Sequence, residues 1–180
     1  MRPFIISITG AHSGCGKTSV AEAVLGGINA RCGAVKYTGT ALYSSISDDD
    51  AVISQEGKDT ARMKGSGAEY VLWIRSPRGE LPELLEMAME RFAGLDVIVV
   101  EGNGPAELLR PDILIFVFGD DISRVKESAK PLIGKADYVL YKEMPSIKTP
   151  AKMYNKCSDI EISEMLKDVN GRISGSRRIE

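Results

Sequence analysis

Phe4-Ile5-Ile6-Ser7-Ile8-Thr9 runs into Gly10-Ala11-His12-Ser13-Gly14-Cys15-Gly16-Lys17-Thr18-Ser19, and apolar residues follow at Val20, Ala21, Val24 and Leu25. The first six residues are short, apolar and partly β-branched, so they predict a strand. Residues 10–16 predict a glycine-rich loop, and the spacing of the apolar residues after it predicts a helix over 17–30. Within that unit, residues 11–18 fit the looser form of the phosphate-binding loop, with Ala11 at the first glycine position and Gly10 one place earlier. Small residues are needed there because successive backbone N–H groups must turn inward around a β-phosphate at the helix N-terminus. Ser13, Gly14, Cys15, Gly16 and Ser19 are the predicted cradle. Lys17 brings a point charge to the β/γ oxygens, and the Thr18 hydroxyl, in the first helical turn, is placed to ligate Mg²⁺. The competing reading is a plain strand-to-helix turn.

The rest of the chain repeats the alternation. Strands are predicted over residues 32–37, 68–74, 96–100, 113–118 and 138–141, with a short one over 159–162. Helices are predicted over 58–64, 80–92, 122–133 and 163–169. Residues 38–54, polar and carrying Asp48-Asp49-Asp50, read as a mobile loop, and 101–105 as a second loop. Strands that read as continuous apolar runs between helices imply parallel pairing, because parallel strands need crossovers and those crossovers cover both faces of the sheet. The expectation is an α/β, three-layer P-loop NTPase fold with a mostly parallel central sheet. It forms a single domain over residues 1–171, with 172–180 a flexible tail.

Length and composition agree. The chain has 180 residues, 43% hydrophobic and 27% charged, with mean hydropathy −0.08, which excludes a disordered polymer and a helical membrane protein. Lys plus Arg at 23 against Asp plus Glu at 25 gives a net charge of −2, so no global field favours nucleic acid or an anionic membrane. No signal-peptide cleavage pattern follows Met1-Arg2-Pro3, and the predicted location is cytoplasmic. Cys15, Cys32 and Cys157 form no paired motif, and with one histidine a zinc site has few ligands to draw on.

Further residues carry chemistry. Val97-Ile98-Val99-Val100-Glu101 is an apolar strand that ends in an acid, which is how a Walker B strand delivers a carboxylate to Mg²⁺; a buried strand with a charged end is the competing reading. Gly102, with no Cβ, is expected to bring its N–H to a γ-phosphate. Lys58 beside Asp59 reads either as an anion contact and a metal contact or as the capped start of a helix. Lys36, at the end of the second strand, faces the same crevice if the sheet is doubly wound. The guanine-reading Asn-Lys-x-Asp pattern is absent: Tyr141 and Met144 flank Lys142 where Asn and Asp are required. His12 occupies the place where dimeric ATPases with a deviant phosphate loop carry a second lysine. Tyr70 and Trp73 read as core.

Residues 4–143 resemble the molybdopterin-guanine dinucleotide biosynthesis adaptor protein MobB family. The likeness rests on the order of phosphate loop, Gly33-Ala34-Val35-Lys36, Gly57-Lys58-Asp59-Thr60, Gly67-Ala68, and Leu95 through Gly102. It implies a GTP-binding P-loop protein, usually a homodimer, that assists attachment of GMP to molybdopterin alongside another protein of molybdenum cofactor biosynthesis. Lys17 and Thr18 then match the nucleotide site, and Lys58, Asp59 and Glu101 the crevice around it. Two loops depart from the family: Tyr37-Thr38-Gly39 follows Lys36 where histidines are usual, and Asn103-Gly104-Pro105 follows Gly102 in place of Phe-Lys. Those departures describe a divergent paralogue with the same nucleotide site and a different client.

The expected assignment is a Mg²⁺-dependent GTP-binding adaptor, with ATP as the other nucleotide and at most slow NTPase activity on its own. The alternative is a P-loop kinase or ATP-dependent ligase acting on a small metabolite. Such enzymes close an Arg-bearing lid over the transferred phosphate, and between Asp112 and Ala136 stands one arginine, Arg124.

Overall fold

The structure is a computed structural model that describes residues 2–176. In chain order its elements are β1 (Phe4–Gly10), α1 (Lys17–Gly27), β2 (Cys32–Gly39), β3 (Ser45–Ser47), α2 (Asp50–Ile53), α3 (Asp59–Gly65), β4 (Tyr70–Ser76), α4 (Leu81–Arg91), β5 (Val97–Glu101), α5 (Asn103–Leu108), β6 (Ile113–Val117), α6 (Lys130–Ile133), β7 (Tyr138–Tyr141), β8 (Lys152–Asn155) and α7 (Asp159–Ser176). The strands form one sheet in the order β3-β4-β2-β5-β1-β6-β7-β8. Every pairing is parallel except β3 with β4.

Period-two alternation sorts the strand residues into two faces. Ile6, Ile8, Val97 and Val99 pack with Val20, Ala21 and Val24 of α1 and with Met165, Val169 and Ile173 of α7. Ile5, Val35, Leu72, Ile98 and Val100 face the other way, against Leu81, Leu85 and Ala88 of α4. A third cluster gathers Leu114, Phe116 and Val139 over Leu132. Both faces of the central strands are covered, which is why β5 and β6 are apolar at nearly every position. At roughly 1.5–3 kcal/mol for each fully buried Ile, Leu or Val, these strands hold the frame on which the loops at their carboxyl ends are mounted.

Several expectations needed correction. Residues 38–54 are partly ordered: Ile46 packs on the α4 side as β3 pairs with β4, and Asp49 caps α2 by accepting the Ala51 N–H at 2.9 Å. Residues 101–105 are not all loop, since α5 begins at Asn103 and holds Pro105 in its first turn, where a missing N–H costs nothing. The helix expected over 122–133 shrinks to a 3₁₀ turn at Glu127–Ala129 and the single turn of α6. Asp121 takes the Ser123 N–H and hydroxyl into a local turn that competes with a helix start. The last strand is residues 152–155 rather than 159–162. Ser158 accepts the Glu161 N–H, so 159–162 opens α7 instead. Residues 172–176, read as tail, are the end of that helix: Ile173 is buried, and Arg172 donates to Asp137 at 2.7 Å and to the Asp112 carbonyl at 2.6 Å. The remainder of that tail, residues 177–180, lies outside the described residues.

Candidate nucleotide site

The carboxyl ends of β1, β2 and β5 open into a cleft of about 890 Å³, at the place where open α/β sheets take ligands. Residues 11–16 turn between β1 and α1. Gly14 and Gly16 have positive φ, 79° and 100°, and Gly16 caps the helix in the left-handed conformation that side chains resist. A Cβ on Gly10 would stand 2.4 Å from the Cys15 sulfur and 3.0 Å from the Val117 carbonyl, so only glycine lets the loop fold back on the sheet here. The Cys15 side chain is buried beneath the loop. Lys17 donates to the His12 carbonyl at 2.9 Å across the loop it closes.

Beside the loop lies a charged cluster drawn from four elements. Thr18 donates from Oγ1 to Glu101 Oε2 at 2.9 Å, and Glu101 is 2% exposed at the end of β5. The Lys36 ammonium, 15% exposed, extends from within β2, three residues before its end, and reaches Glu101 Oε1 and Asp59 Oδ2, each at 2.5 Å. Register explains this meeting: Lys36 pairs with Glu101 directly across β2 and β5, and the start of α3 brings Asp59 over both. Arg62, one turn on, lies 3.8 Å from Asp59 and is tied to Glu22 and Ser19.

Burial pushes the Asp59 carboxyl upward, but the hydrogen bond and charge of Lys36, with Thr18 and Arg62, outweigh it and hold Asp59 below the ordinary carboxylate range. A carboxyl depressed in the folded state contributes stability that is complete above its unfolded pKa of about 3.9 and is lost as pH falls through the lower folded value. The stability difference between the parent and Asp59→Asn is therefore expected to be constant from neutral pH to roughly pH 5 and to shrink below the unfolded pKa. Carboxyl NMR titration should give Asp59 a midpoint below the ordinary range; a midpoint within or above it contradicts the pairing.

The cleft brings together most of the residues singled out from sequence. Ser13, Gly14, Gly16, Lys17, Thr18, Ser19, Lys36, Asp59, Glu101 and Gly102 all line it. Lys58 does not: it stands at the N-cap position of α3 without a side-chain cap bond and lines a smaller adjoining hollow with Thr38 and Trp73. Trp73 is only partly buried and donates its indole N–H to Thr38, so it is not simply core. The Gly102 N–H is also engaged, donating to the Ile8 carbonyl at 3.0 Å, and is not presented to a γ-phosphate.

Both ends of the Asn103 side-chain amide are used on Gly10. It accepts from the Gly10 N–H and donates to the Gly10 carbonyl, each at 2.9 Å. His12 wedges against residue 119, its Nδ1 2.7 Å from the Ser13 carbonyl. Lys126 and Ser128 enter the cleft from the segment after β6, and Lys156 reaches the back of the loop from beyond β8. No spacing in the sequence signals Lys156, which stands 139 residues after Lys17 in sequence.

None of the protein-family models matches the chain, and no curated protein sequence matches it either. Solved structures do. A MobB protein homologue from Bacillus stearothermophilus superposes with TM-score 0.52 at 16% identity, over 92% of this chain and 97% of the homologue. HypB, a hydrogenase maturation factor from Archaeoglobus fulgidus, gives TM-score 0.61 at 14% identity over 95% and 90%. LpxK from Aquifex aeolicus, solved with ATP, gives 0.57 at 18% identity over 86% of this chain and 54% of its own length. Likeness at these identities carries the architecture, and with the phosphate loop in place at the carboxyl end of β1 it gives this chain the three-layer α/β fold of the P-loop NTPases.

Proposed function

We propose that the chain is a Mg²⁺-dependent GTP-binding protein that acts as an adaptor in molybdenum cofactor maturation, where GMP is attached to molybdopterin. The observation that carries the nucleotide reading is the cluster of Thr18, Glu101, Asp59 and Lys36 set directly beside the phosphate loop. A hydroxyl and two carboxylates are hard oxygen donors of the kind Mg²⁺ takes together with substrate phosphates. The Lys36 ammonium, lodged between the two carboxylates, already stands where this field favours a cation. Thr18, Glu101 and Asp59 would hold the ion, which when bound supplies positive charge to the β/γ oxygens. With a nucleotide bound, Lys17 would exchange the His12 carbonyl for a phosphate oxygen, beside the N–H groups left without helical partners at the start of α1. The choice of GTP, the homodimer and the cofactor-maturation partner rest on the resemblance of residues 4–143 and on the likeness to the MobB homologue, and a cytoplasmic location is proposed with them.

One observation favours a second reading, phosphoryl transfer from ATP to a small metabolite. Lys126 lines the cleft from the segment after β6 and gives that segment a cation besides Arg124. Asn103 is tied to Gly10 and Gly102 to Ile8, so the segment directly after β5 offers no free side-chain amide to orient an attacking water, which bears on hydrolysis and not on transfer to a metabolite. The isolated protein is therefore expected to hydrolyse bound GTP or ATP at roughly 10⁻³ s⁻¹ or slower in a single-turnover assay with Mg²⁺. Turnover near 1 s⁻¹ or faster, in the range of ordinary metabolic enzymes, overturns the adaptor reading in favour of the enzyme.

A further inference from the structure

Lys156 lies outside the stretch that carries the family resemblance, on the turn between β8 and α7. Its side chain is 15% exposed, and its ammonium donates to two main-chain carbonyls, Phe118 at 2.8 Å and Cys15 at 3.1 Å. Asp120 Oδ1 stands 3.6 Å away and Lys142 shares that carboxylate, so one acid faces two cations at this corner. Burying a lysine on carbonyl oxygens is costly unless it is well hydrogen-bonded, and here the bonds fix a particular peptide.

That peptide joins Cys15 to Gly16. In a trans peptide the C=O and N–H point to opposite edges of one plane, so an oxygen drawn back toward Lys156 aims the Gly16 N–H the other way. Gly16 lines the cleft, and its positive φ continues the inward turn of the amides. The second bond, to Phe118, anchors the same ammonium to the end of β6 and hence to the sheet. Without the cation, two carbonyl dipoles would face one another behind the loop with nothing between them.

We infer that Lys156 is a positioning residue of the phosphate loop: reaching in from the far edge of the sheet, it sets the Cys15–Gly16 peptide so that the loop is already shaped for a polyphosphate before one arrives. The inference deepens the nucleotide reading and rests on it for the identity of the ligand. It makes the β8–α7 unit part of the binding site, although none of its side chains need touch the nucleotide.

The test uses the full chain with Lys156→Met, which keeps the aliphatic stem, and Lys156→Arg, which keeps a charged donor. Calorimetry with GTP, ATP and inorganic tripolyphosphate is read together with the Gly16 amide resonance of the ligand-free protein. Lys156→Met is expected to weaken GTP and tripolyphosphate by the same factor, about 30-fold, the scale of one charge-assisted hydrogen bond. It should displace the Gly16 amide while leaving the amides of β5 in place, and Lys156→Arg should recover both readouts in large part. Tripolyphosphate affinity within about twofold of the parent, or an unmoved Gly16 amide, overturns the inference. If the parent itself binds neither nucleotide nor tripolyphosphate, the nucleotide reading fails and the Gly16 amide alone decides: displaced upholds the positioning role, unmoved removes it. Should Lys156→Met not fold, Lys156→Gln, neutral but still a donor, takes its place with the same two readouts.

Discussion

Glu101→Ala is expected to destabilise the protein by roughly 3–5 kcal/mol, because removing one partner of a buried ion pair leaves the other charge uncompensated. Glu101 is almost fully buried and accepts from both Thr18 and Lys36, and among the described residues the Lys36 ammonium then keeps Asp59 as its acidic partner. Glu101→Gln separates the structural contribution from the metal contribution. The amide keeps the shape and one acceptor for Thr18 but removes the charge, so it avoids the cavity and the lost Thr18 bond while Lys36 still loses its ion-pair partner, and a substantial part of the destabilisation should remain. Binding of nucleotide without metal should persist, while the gain that Mg²⁺ confers should largely disappear. Denaturant unfolding gives the first quantity and nucleotide titration with and without Mg²⁺ the second. A Glu101→Gln protein whose Mg²⁺ dependence matches the parent's would reduce Glu101 to a charge at the end of a strand.

Lys17→Ala is expected to weaken triphosphate binding by about 2–4 kcal/mol, roughly 30-fold to 1,000-fold, since it removes a charge-assisted contact in a partly desolvated loop. The cost to the empty fold should be small: Lys17 gives up a hydrogen bond to one carbonyl, and the loop is held independently by Asn103 at Gly10 and by Lys156 at Cys15. Lys17→Arg should not restore affinity. A planar guanidinium needs more room than the compact ammonium, and the Cys15 sulfur 3.7 Å from Nζ limits it. Equal affinities of parent and Lys17→Ala for GTP and ATP would remove the nucleotide assignment from this loop.

What the sequence disclosed about this site followed from range. The strand, loop and helix of residues 4–25 declare themselves because the signal is local: apolar alternation, then glycines, then helical spacing. Glu101 was legible for the same reason, as a charge ending an apolar strand. Lys36 and Asp59 were legible as candidates, but their meeting on Glu101 depends on the register of β2 against β5 and on where α3 lands, neither of which is written locally.

The misreadings share a cause. Gly102 was expected to offer its N–H to a ligand, and whether that group is free is decided by Ile8 on a neighbouring strand. The helix expected over 122–133 gives way because Asp121 and Ser123 hold a turn, and the strand expected over 159–162 becomes helix because Ser158 caps it. Periodicity identifies the elements buried on both faces; it says little about edges and caps, where a single side-chain bond decides the outcome.

The most direct test of the account is a calorimetric titration of the intact protein with GTP and with ATP, each with and without Mg²⁺. Saturable binding of a triphosphate that tightens when Mg²⁺ is present, and tightens more for GTP than for ATP, is the predicted result. No saturable binding of either nucleotide, at protein and ligand concentrations that would reveal a Kd of about 1 mM, would contradict it.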